Sequence, residues 1–419
     1  MSHHRYRLPA PVVYLIMTGG ITLLWRIAFT MGLLYQVTLA ELSPLQLVLV
    51  GTGMETAILL FEIPTGVVAD TVSRRLSILV GVAIMGAAFI LYGSLPTFLG
   101  VLGASCLWGL GYTFTSGADS AWVYDEVGEA RAQELFLRAA QLRQVVSIAG
   151  IVISAGLGLV VVSLPLIAGG VGLLLLALFL AFVMPEAGFT PTPPEERETW
   201  REMSRTLRAG VSLVRGDRLL VLIFALALVI GLYSEGYDRL WTPLLVEVIG
   251  LPRLPLPVWF GLIELVGRLL ALGATEVARR GALSAPGQAA RSLLWIVSVM
   301  VVSLLLVATG PTLGVVLAAT WTFDTFRNLY SPIYEAWINQ NIKDSSVRAT
   351  VISMAGQLDA FGQIAGGPGV GLIGERVAIR AALLVSTALL VPAVPLHALA
   401  LRQTRLTAKK LTENQPQKA

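Results

Sequence analysis

Long apolar runs follow one another along almost the whole chain, separated by short stretches that contain Pro, Gly and charged residues. About 20 mostly apolar residues are enough for a helix to cross roughly 30 Å of hydrocarbon. The runs are too long and too uniformly apolar for the alternating strands of a membrane barrel, and backbone groups in lipid need internal partners. The pattern therefore predicts an all-α membrane protein with 12 transmembrane helices, near 11–39, 45–69, 76–95, 97–124, 136–162, 165–184, 219–246, 256–278, 291–309, 312–340, 349–373 and 378–400.

One long polar break divides these spans into two groups of six. It is Pro-rich at first and charged afterwards, and Trp200, Met203 and Leu207 recur at helical spacing within it, which predicts an interfacial helix over 198–214. We predict an N-terminal six-helix half at 1–184, a cytoplasmic linker at 185–218, a C-terminal six-helix half at 219–401 and a cytoplasmic tail at 402–419.

Composition agrees with a membrane protein. Hydrophobic residues make up 55% of the chain and charged residues 13%, with a mean hydropathy of +0.76, whereas an average soluble domain is about 25% charged. No short apolar run with a small-residue cleavage site is visible near residue 1, so we expect no removable signal peptide. The single Cys106 excludes an intramolecular disulfide.

Basic residues alternate between the two ends of the spans. Lys and Arg concentrate at both termini and in the loops after even-numbered spans, whereas the opposite loops hold only Arg253, Arg376 and Arg380. The positive-inside rule then predicts a multi-pass protein of the cell (inner or plasma) membrane with both termini cytoplasmic. The same loops explain the net charge of +4, so the charge balance does not indicate nucleic-acid binding.

The two halves contain similar stretches. AAQLRQVVSIAG (139–150) aligns without gaps on AGQLDAFGQIAG (355–366), which makes spans 5 and 11 equivalent. Internal repeats of this kind are typical of membrane transporters.

A charged motif occupies the end of span 2 and the loop that follows it. FEIPTGVVADTVSRR (61–75) contains Gly66, Asp70, Arg74 and Arg75 at a spacing of four, four and one. Glycine permits close approach of another helix, and the charged groups can cap helix ends or pair across the interface between the halves. We predict that these residues, braced by Glu62, form a cytoplasmic gate, the alternative being an ordinary basic turn.

This spacing closely resembles the loop signature of the major facilitator superfamily, Gly-x-x-x-Asp-x-x-x-Arg-Arg/Lys. The resemblance implies a major facilitator fold, with 12 helices in two pseudo-symmetric halves, and it implies that Asp125 in YDE (124–126) pairs with Arg74. EIPTG..AD (62–70) and RATVIS (348–353) are similar to a subgroup of bacterial drug exporters that includes tetracycline- and macrolide-efflux proteins.

Two departures from the resembled pattern place proton-coupled antiport in doubt. The Arg that many proton-coupled members carry in span 4 is absent from ASCLWGLG (104–111), and the Gly-Pro pair that antiporters carry in span 5 is replaced by Ser154-Ala155.

Charged residues inside the spans are the main candidate chemistry, because a charge at mid-bilayer costs at least about 2.5–3.5 kcal/mol and is expected to face the protein interior or a water-filled cavity. Spans 1, 4, 7 and 10 line the cavity in the resembled fold. We predict a substrate and proton cavity formed by Arg26, Glu55, Asp119, Glu235, Asp238, Arg239, Glu264, Asp324, Arg327 and Asp359.

Several of these residues also have a purely structural explanation. Glu264 and Arg268 can pair one turn apart, and Arg327 can neutralise Asp324. Arg26 can attract an anionic ligand or pair with a carboxylate of another span.

Two carboxylates stand out as candidates for reversible protonation. Glu235 and Asp119 are expected to have no basic residue three or four positions away in their own spans. Glu55 and Glu62 are seven residues apart and share a helix face, although Glu62 can serve only to brace the gate.

Enzymatic and metal-dependent functions find little support. The chain has no Gly-x-x-x-x-Gly-Lys-Ser/Thr loop, and His3, His4 and His397 have no Cys nearby, so we expect no metal and no cofactor, with the proton gradient as energy source. We predict a monomeric secondary transporter whose partners are a small-molecule substrate and the lipid bilayer. Proton-coupled efflux of amphipathic molecules is the leading version; a uniporter or proton symporter for a polar or anionic solute, and more remotely an intramembrane enzyme or lipid-handling factor, are the alternatives.

Overall fold

The computed structural model describes residues 8–191, 193, 218–285, 287–342 and 345–413. The interfacial helix predicted over 198–214 lies outside these residues. In the described part the secondary structure is α-helical apart from one π-helical turn, Leu244–Ile249, that continues α8. The α-helices, numbered in chain order, are α1 (Ala10–Thr38), α2 (Pro44–Thr71), α3 (Arg74–Ser94), α4 (Phe98–Thr115), α5 (Ala118–Val127), α6 (Glu129–Gly158), α7 (Leu164–Val183), α8 (Arg218–Pro243), α9 (Leu256–Arg280), α10 (Ala289–Thr309), α11 (Leu313–Asn341), α12 (Ser345–Arg376), α13 (Ile379–Leu390) and α14 (Ala393–Glu413).

These helices form the 12 predicted spans. Two spans consist of two consecutive helices each: α4 and α5 are separated at Ser116 and Gly117, and α13 and α14 at Val391 and Pro392. Gly117 has a φ of +74°, a left-handed conformation that glycine adopts without the steric cost of a Cβ. The all-α prediction is therefore confirmed, and the interruption of the fourth span is an addition to it.

Ten of the 12 spans are apolar enough as well as long enough to cross a membrane. The other two, α11 and α12, have 29 and 32 residues but contain more polar and charged side chains. Large apolar side chains are exposed along α7, for example Leu175 at 61% and Phe182 at 69%. Apolar surface of this extent is a membrane-facing surface, and the protein is a multi-pass membrane protein.

One helix starts earlier than predicted. The fifth span was placed at 136–162, whereas α6 begins at Glu129. Its first turns are polar and exposed, and Arg138 pairs with Glu134 one turn earlier at 2.5 Å, so they continue the helix beyond its apolar part.

The described chain forms two compact units. The first contains α1 to α7 together with Leu251–Leu265, and the second contains α8, the π-helical turn and the described residues from Val266 onward. In the first unit α1 packs on α6 and α7, α2 on α4, and α3 on α4 and α7. In the second unit α8 packs on α12 and α13, and α10 packs on α11. The predicted domain boundaries stay predictions.

A pair of glycines supports the predicted repeat. A Cβ added at Gly150 of α6 would lie 3.0 Å from the carbonyl oxygen of Leu23 in α1, and one at Gly366 of α12 would lie 2.3 Å from that of Leu232 in α8. The sequence alignment pairs these two glycines. Spans 5 and 11 therefore approach the first helix of their own half in the same way.

Candidate functional site

An ion pair joins α8 to α11 inside the second unit. The guanidinium of Arg327 makes two hydrogen bonds to the carboxylate of Asp238, one of them 2.7 Å long between Nη2 and Oδ2. The hydroxyl of Tyr237 donates to Oδ1 of Asp324 at 2.9 Å between the same two helices. The partnership of Arg327 with Asp238 could not be foreseen from spacing, because the two residues are 89 positions apart.

Glu235 has a basic partner in its own helix. Its Oε2 lies 3.2 Å from Nε of Arg239, and the Glu235 side chain is 3% exposed. The expectation that no basic residue lies three or four positions away was wrong, since Arg239 follows by four and so shares the same helix face. Glu235 is therefore a buried member of an ion pair.

Arg26 of α1 pairs with Glu264 of α9 within the first unit. Nη1 of Arg26 lies 3.2 Å from Oε2 of Glu264, and the two side chains are 29% and 31% exposed. Of the two interpretations of Arg26, pairing with a carboxylate of another span is the one observed.

Asp119 lies in the first turn of α5, directly after the interruption at Gly117. One of its carboxylate oxygens accepts hydrogen bonds from the main-chain nitrogen of Ser120 at 2.6 Å and from its hydroxyl at 3.1 Å. No salt bridge within 4 Å joins it to another described residue. On α2, Glu55 is half-buried and Glu62 is exposed.

A cavity of about 370 Å³ lies within the second unit, between α8, α10, α11 and α12. Two of the predicted cavity residues, Arg327 and Asp359, line it, together with Glu335. Oδ2 of Asp359 accepts a hydrogen bond from Nε2 of Gln363 at 2.8 Å. Asp359 forms no salt bridge within 4 Å with another described residue. Apolar side chains complete much of the wall, among them Ala227, Ile230, Met300, Ile338, Ile352 and Ala355.

Three tyrosines line the same cavity. The rings of Tyr330 and Tyr334 stack, with centroids 5.4 Å apart and planes at 16°. Their hydroxyls are bound elsewhere: Tyr334 donates to the carbonyl oxygen of Ile223 at 2.9 Å, and Tyr330 is 3.1 Å from Nε2 of buried His397. The hydroxyl of Tyr233 is buried and has no hydrogen-bond partner in the described part of the chain.

Sequence reasoning missed Tyr334 and treated His397 as isolated. The spacing of Tyr330 and Tyr334 is that of one helix turn, a signal that could have placed both rings on one face. Nothing in the sequence connects His397 of α14 to Tyr330 of α11.

A second cluster, the loop cluster, surrounds the start of α3 in the first unit and consists of Asp70, Arg74 and Asp125. Arg74 forms a salt bridge with Asp125 and donates to the carbonyl oxygen of Ala121 at 2.8 Å. Asp70 is a weaker partner, because its carboxylate is 3.8 Å from Arg74 and its side chain is 49% exposed. The contact between Asp125 and Arg74 that the resemblance implied is present, while its role as a gate stays a prediction.

The residues directly after α7 are hydrogen-bonded to the start of α3 and to α5, next to the loop cluster. The carboxylate of Glu186 accepts hydrogen bonds from the Ser73 hydroxyl at 2.7 and 2.9 Å and from the main-chain nitrogen of Arg75 at 2.8 Å. Oε1 of Glu126 accepts from the main-chain nitrogens of residues 187 and 188 at 2.6 and 2.8 Å. Nε1 of Trp122 donates to the carbonyl oxygen of Pro185 at 2.8 Å.

Residues 185–189, PEAGF, are therefore an ordered strap on the first unit, although they were predicted as the start of a linker. Glycine and proline in this stretch indicated an irregular loop, and no sequence pattern pointed to the hydrogen-bond partners that hold it. Phe189 adds its ring 5.8 Å from the guanidinium of Arg74.

Gly66 and Arg75 are the other two residues of the motif. A Cβ added at Gly66 would meet no described atom within 4 Å, so no described helix packs closely against this glycine in the structure. Arg75 donates through its side chain to the carbonyl oxygen of Ala181 at the end of α7. Arg75 thus stabilises the packing of α3 on α7.

Solved structures with the same fold are transporters. NupG, a nucleoside transporter, has a TM-score of 0.74 at 13% identity over 94% of this chain and 99% of its own. A bacterial homologue of the human lysosomal transporter Spinster has a TM-score of 0.71 at 14% identity over 95% and 98%, and a D-xylose–proton symporter has 0.68 at 10% over 92% and 96%. No family model and no curated protein sequence matches the chain. At such identities the likeness shows the fold, and it confirms the major facilitator fold that the loop signature implied.

Proposed function

We propose that the protein is a secondary transporter that moves a small molecule across the membrane by alternating access. The observation that carries this proposal is the likeness in fold over more than nine-tenths of both chains to transporters of different substrates, among them a nucleoside transporter and a D-xylose–proton symporter. Such likeness is an analogy, so support from the site itself is needed.

The arrangement of charge inside the spans supports transport. Arginines of three transmembrane helices are neutralised by carboxylates, in the pairs Arg26–Glu264, Arg239–Glu235 and Arg327–Asp238. Charged groups are rare within membrane helices and commonly mark substrate and ion pathways. The 370 Å³ cavity has the size and the mixed apolar and polar lining of a small-molecule site.

For the substrate we propose an amphipathic small molecule that is exported. The similarity of EIPTG..AD (62–70) and RATVIS (348–353) to bacterial drug exporters supports this choice. The runner-up, a polar or anionic solute, relied on Arg26, Arg239 and Arg327 as anion ligands. Each of these arginines already has a carboxylate within hydrogen-bond distance. The three arginines therefore do not favour a polar or anionic solute over an amphipathic one.

For the coupling ion we propose a proton carried by Asp119. Glu235, the other candidate, has Arg239 as an ion-pair partner at 3.2 Å, and an opposite charge at that distance favours the charged form of a carboxylate. Asp119 accepts hydrogen bonds from Ser120 and forms no salt bridge within 4 Å among the described residues, and Arg143, the basic residue that attracts its charge from farther away, is exposed. Asp119 can therefore exchange a proton without leaving a buried cation uncompensated.

Transport by the purified chain in proteoliposomes tests the proposal. Compounds that raise the melting temperature of the purified protein would first be selected from drugs, sugars, amino acids and anions. A selected compound should enter protein-containing vesicles faster than protein-free vesicles, and recovery of chemically unchanged compound would exclude the enzymatic alternative. Equal uptake in both kinds of vesicle, or conversion of the compound, would reject the proposal.

A further inference from the structure

We propose that the cavity of the second unit is a binding site for an organic cation, with Asp359 as the counter-ion and the tyrosine rings as the aromatic wall. The inference rests on the proposed transport function and names the chemical class of its ligand. It is carried by the juxtaposition of an unpaired carboxylate, stacked aromatic rings and apolar side chains around one cavity.

The charge balance of the cavity favours a cation. Arg327 is the basic residue of the described lining, and the carboxylate of Asp238 neutralises it through two hydrogen bonds. Asp359 and Glu335 also line the cavity, and neither has a salt bridge within 4 Å among the described residues. Arg327 also attracts the charge of Asp359, but it is itself hydrogen-bonded to Asp238, so the lining keeps an excess of negative charge. A bound cation would reduce that excess.

Asp359 is the better counter-ion of the two. Glu335 is exposed, whereas Asp359 is only partly exposed, so water screens the charge of Asp359 less. Gln363 donates to its Oδ2, and Oδ1 has no hydrogen-bond donor among the described residues. One carboxylate oxygen is therefore available to a ligand.

The aromatic wall suits the same ligand. Because the hydroxyls of Tyr330 and Tyr334 are bound to His397 and Ile223, these residues contribute ring surface to the cavity. A cation within about 6 Å of an aromatic ring centroid is attracted by the negative potential of the ring face.

The apolar part of the wall determines which uncharged body the ligand carries beside its positive charge. Ile230, Met300 and Ile352 lie around the same cavity and favour a ligand with a hydrocarbon or aromatic body next to its charge. An amine or quaternary ammonium compound with an aromatic ring meets all these conditions. A sugar would leave the apolar wall unused, and an anion would face two carboxylates.

Binding of benzyltrimethylammonium to the purified full chain tests the charge selectivity. This permanent cation should bind, as measured by isothermal titration calorimetry, while phenylmethanesulfonate, which carries a similar ring and a negative charge, should bind at least tenfold more weakly. Equal affinity for the two probes, or preference for the anion, would overturn the proposal.

Two substitutions locate the site. Asp359→Asn keeps the shape of the side chain and should weaken binding of the cation about tenfold or more, whereas Glu375→Gln, near the end of the same helix, should leave it unchanged. Gly356 lines the cavity, and a Cβ there would meet no described atom within 4 Å, so Gly356→Leu should fill the cavity and abolish binding. Gly369→Leu is its matched control, because Gly369 is equally unobstructed on the same helix but does not line the cavity.

The outcomes separate this inference from the proposed function. If Asp359→Asn and Gly356→Leu both bind the cation like the natural protein, the site is elsewhere and the inference fails. If the protein binds and moves anionic or neutral compounds across vesicle membranes but neither binds nor moves the cation, transport is upheld and the cation class is wrong. If it moves no compound at all, the proposed function fails independently of what the cavity binds.

Discussion

Glu235 and Arg239 show how charged residues are accommodated within a membrane helix. The Glu235 side chain is almost completely buried, and its charge is balanced by Arg239 one turn later at 3.2 Å. Removal of one member of a buried pair leaves the other charge uncompensated, which typically costs more than the intact pair contributes. Glu235 is thus better explained as a structural residue than as a proton carrier.

We expect Glu235→Gln to destabilise the protein by up to about 3–5 kcal/mol, because Arg239 loses its counter-ion in a low-dielectric environment. Thermal unfolding of the purified protein would show this as a lower melting temperature. Glu134→Gln is the matched control, since Glu134 and Arg138 have the same spacing but are exposed. A melting temperature unchanged by Glu235→Gln would show that the pair is not a structural requirement.

The spacing of residues within one helix can be read from the sequence, and partners on other helices cannot. Arg239 is readable as a partner of Glu235 from its distance of four residues. Asp238 as partner of Arg327 depends on how α8 and α11 pack, and that packing follows from many apolar contacts that no local pattern records.

At the scale of elements, the strap 185–189 determines how α3 begins. Helices leave their first main-chain N–H groups without intrahelical acceptors, and Glu186 supplies one to Arg75 while it also holds the Ser73 hydroxyl. Ser73 in turn accepts from the main-chain nitrogen of Leu76 at 2.9 Å. The start of α3 is therefore capped from two parts of the chain.

Glu186→Ala should increase the hydrogen-exchange rate of the Arg75 amide, because the loss of a cap typically costs about 0.5–2 kcal/mol. Hydrogen exchange of the detergent-solubilised protein, read by mass spectrometry, measures it. Glu186→Gln retains a side-chain oxygen as acceptor and should restore much of the protection. Unaltered exchange in Glu186→Ala would show that the strap does not cap α3.

The two glycines that support the repeat allow a second test at this scale. Gly366→Ala would place a Cβ 2.3 Å from the carbonyl oxygen of Leu232, so α12 has to shift away from α8, at a typical cost of about 1–3 kcal/mol. Gly369→Ala on the same helix meets nothing within 4 Å and should be neutral or slightly stabilising. Equal melting temperatures of the two variants would contradict the close packing of α8 and α12.

The positions of most helices were predictable, because each membrane helix corresponds to a long apolar run in the sequence. Most predicted span ends agree with the helix ends to within a few residues, but α6 begins at Glu129 instead of 136 and α14 continues to Glu413 instead of ending at 400. The start of α6 was hidden by its polar first turns, and the interruption at Gly117 consists of two residues within an otherwise apolar span. The strap was not predictable, since it depends on hydrogen-bond donors and an acceptor from the start of α3 and from α5.

At the scale of the whole molecule, the account assigns different roles to two carboxylates. Asp119 lies in the first unit and is proposed to carry the proton, whereas Asp359 lines the cavity of the second unit and is proposed to hold the ligand. Asp119→Asn should therefore abolish uphill transport while ligand affinity is retained, and Asp359→Asn should lose affinity. Binding and flux assays on the same two preparations check this. Unimpaired uphill flux in Asp119→Asn, or unimpaired affinity in Asp359→Asn, would contradict the assignment.

The fold and the class of membrane protein were accessible from the sequence, because the number of spans and the loop signature are global properties. The position of the cavity was not, since it depends on side chains from four helices that meet only in the folded unit. Asp359 was named as a candidate for its charge, whereas its lack of an ion pair and its tyrosine neighbours required the structure.

The central claim, proton-driven transport, is tested most directly by uphill flux into proteoliposomes with an acidic interior. An exporter that exchanges its substrate for protons should accumulate labelled benzyltrimethylammonium inside such vesicles above its external concentration, because protons leave as the compound enters. A proton-conducting ionophore should abolish the accumulation, and the permanent charge excludes passive trapping of a weak base. Uptake that never exceeds that of protein-free vesicles, for this cation and for every compound that stabilises the protein, would contradict the account.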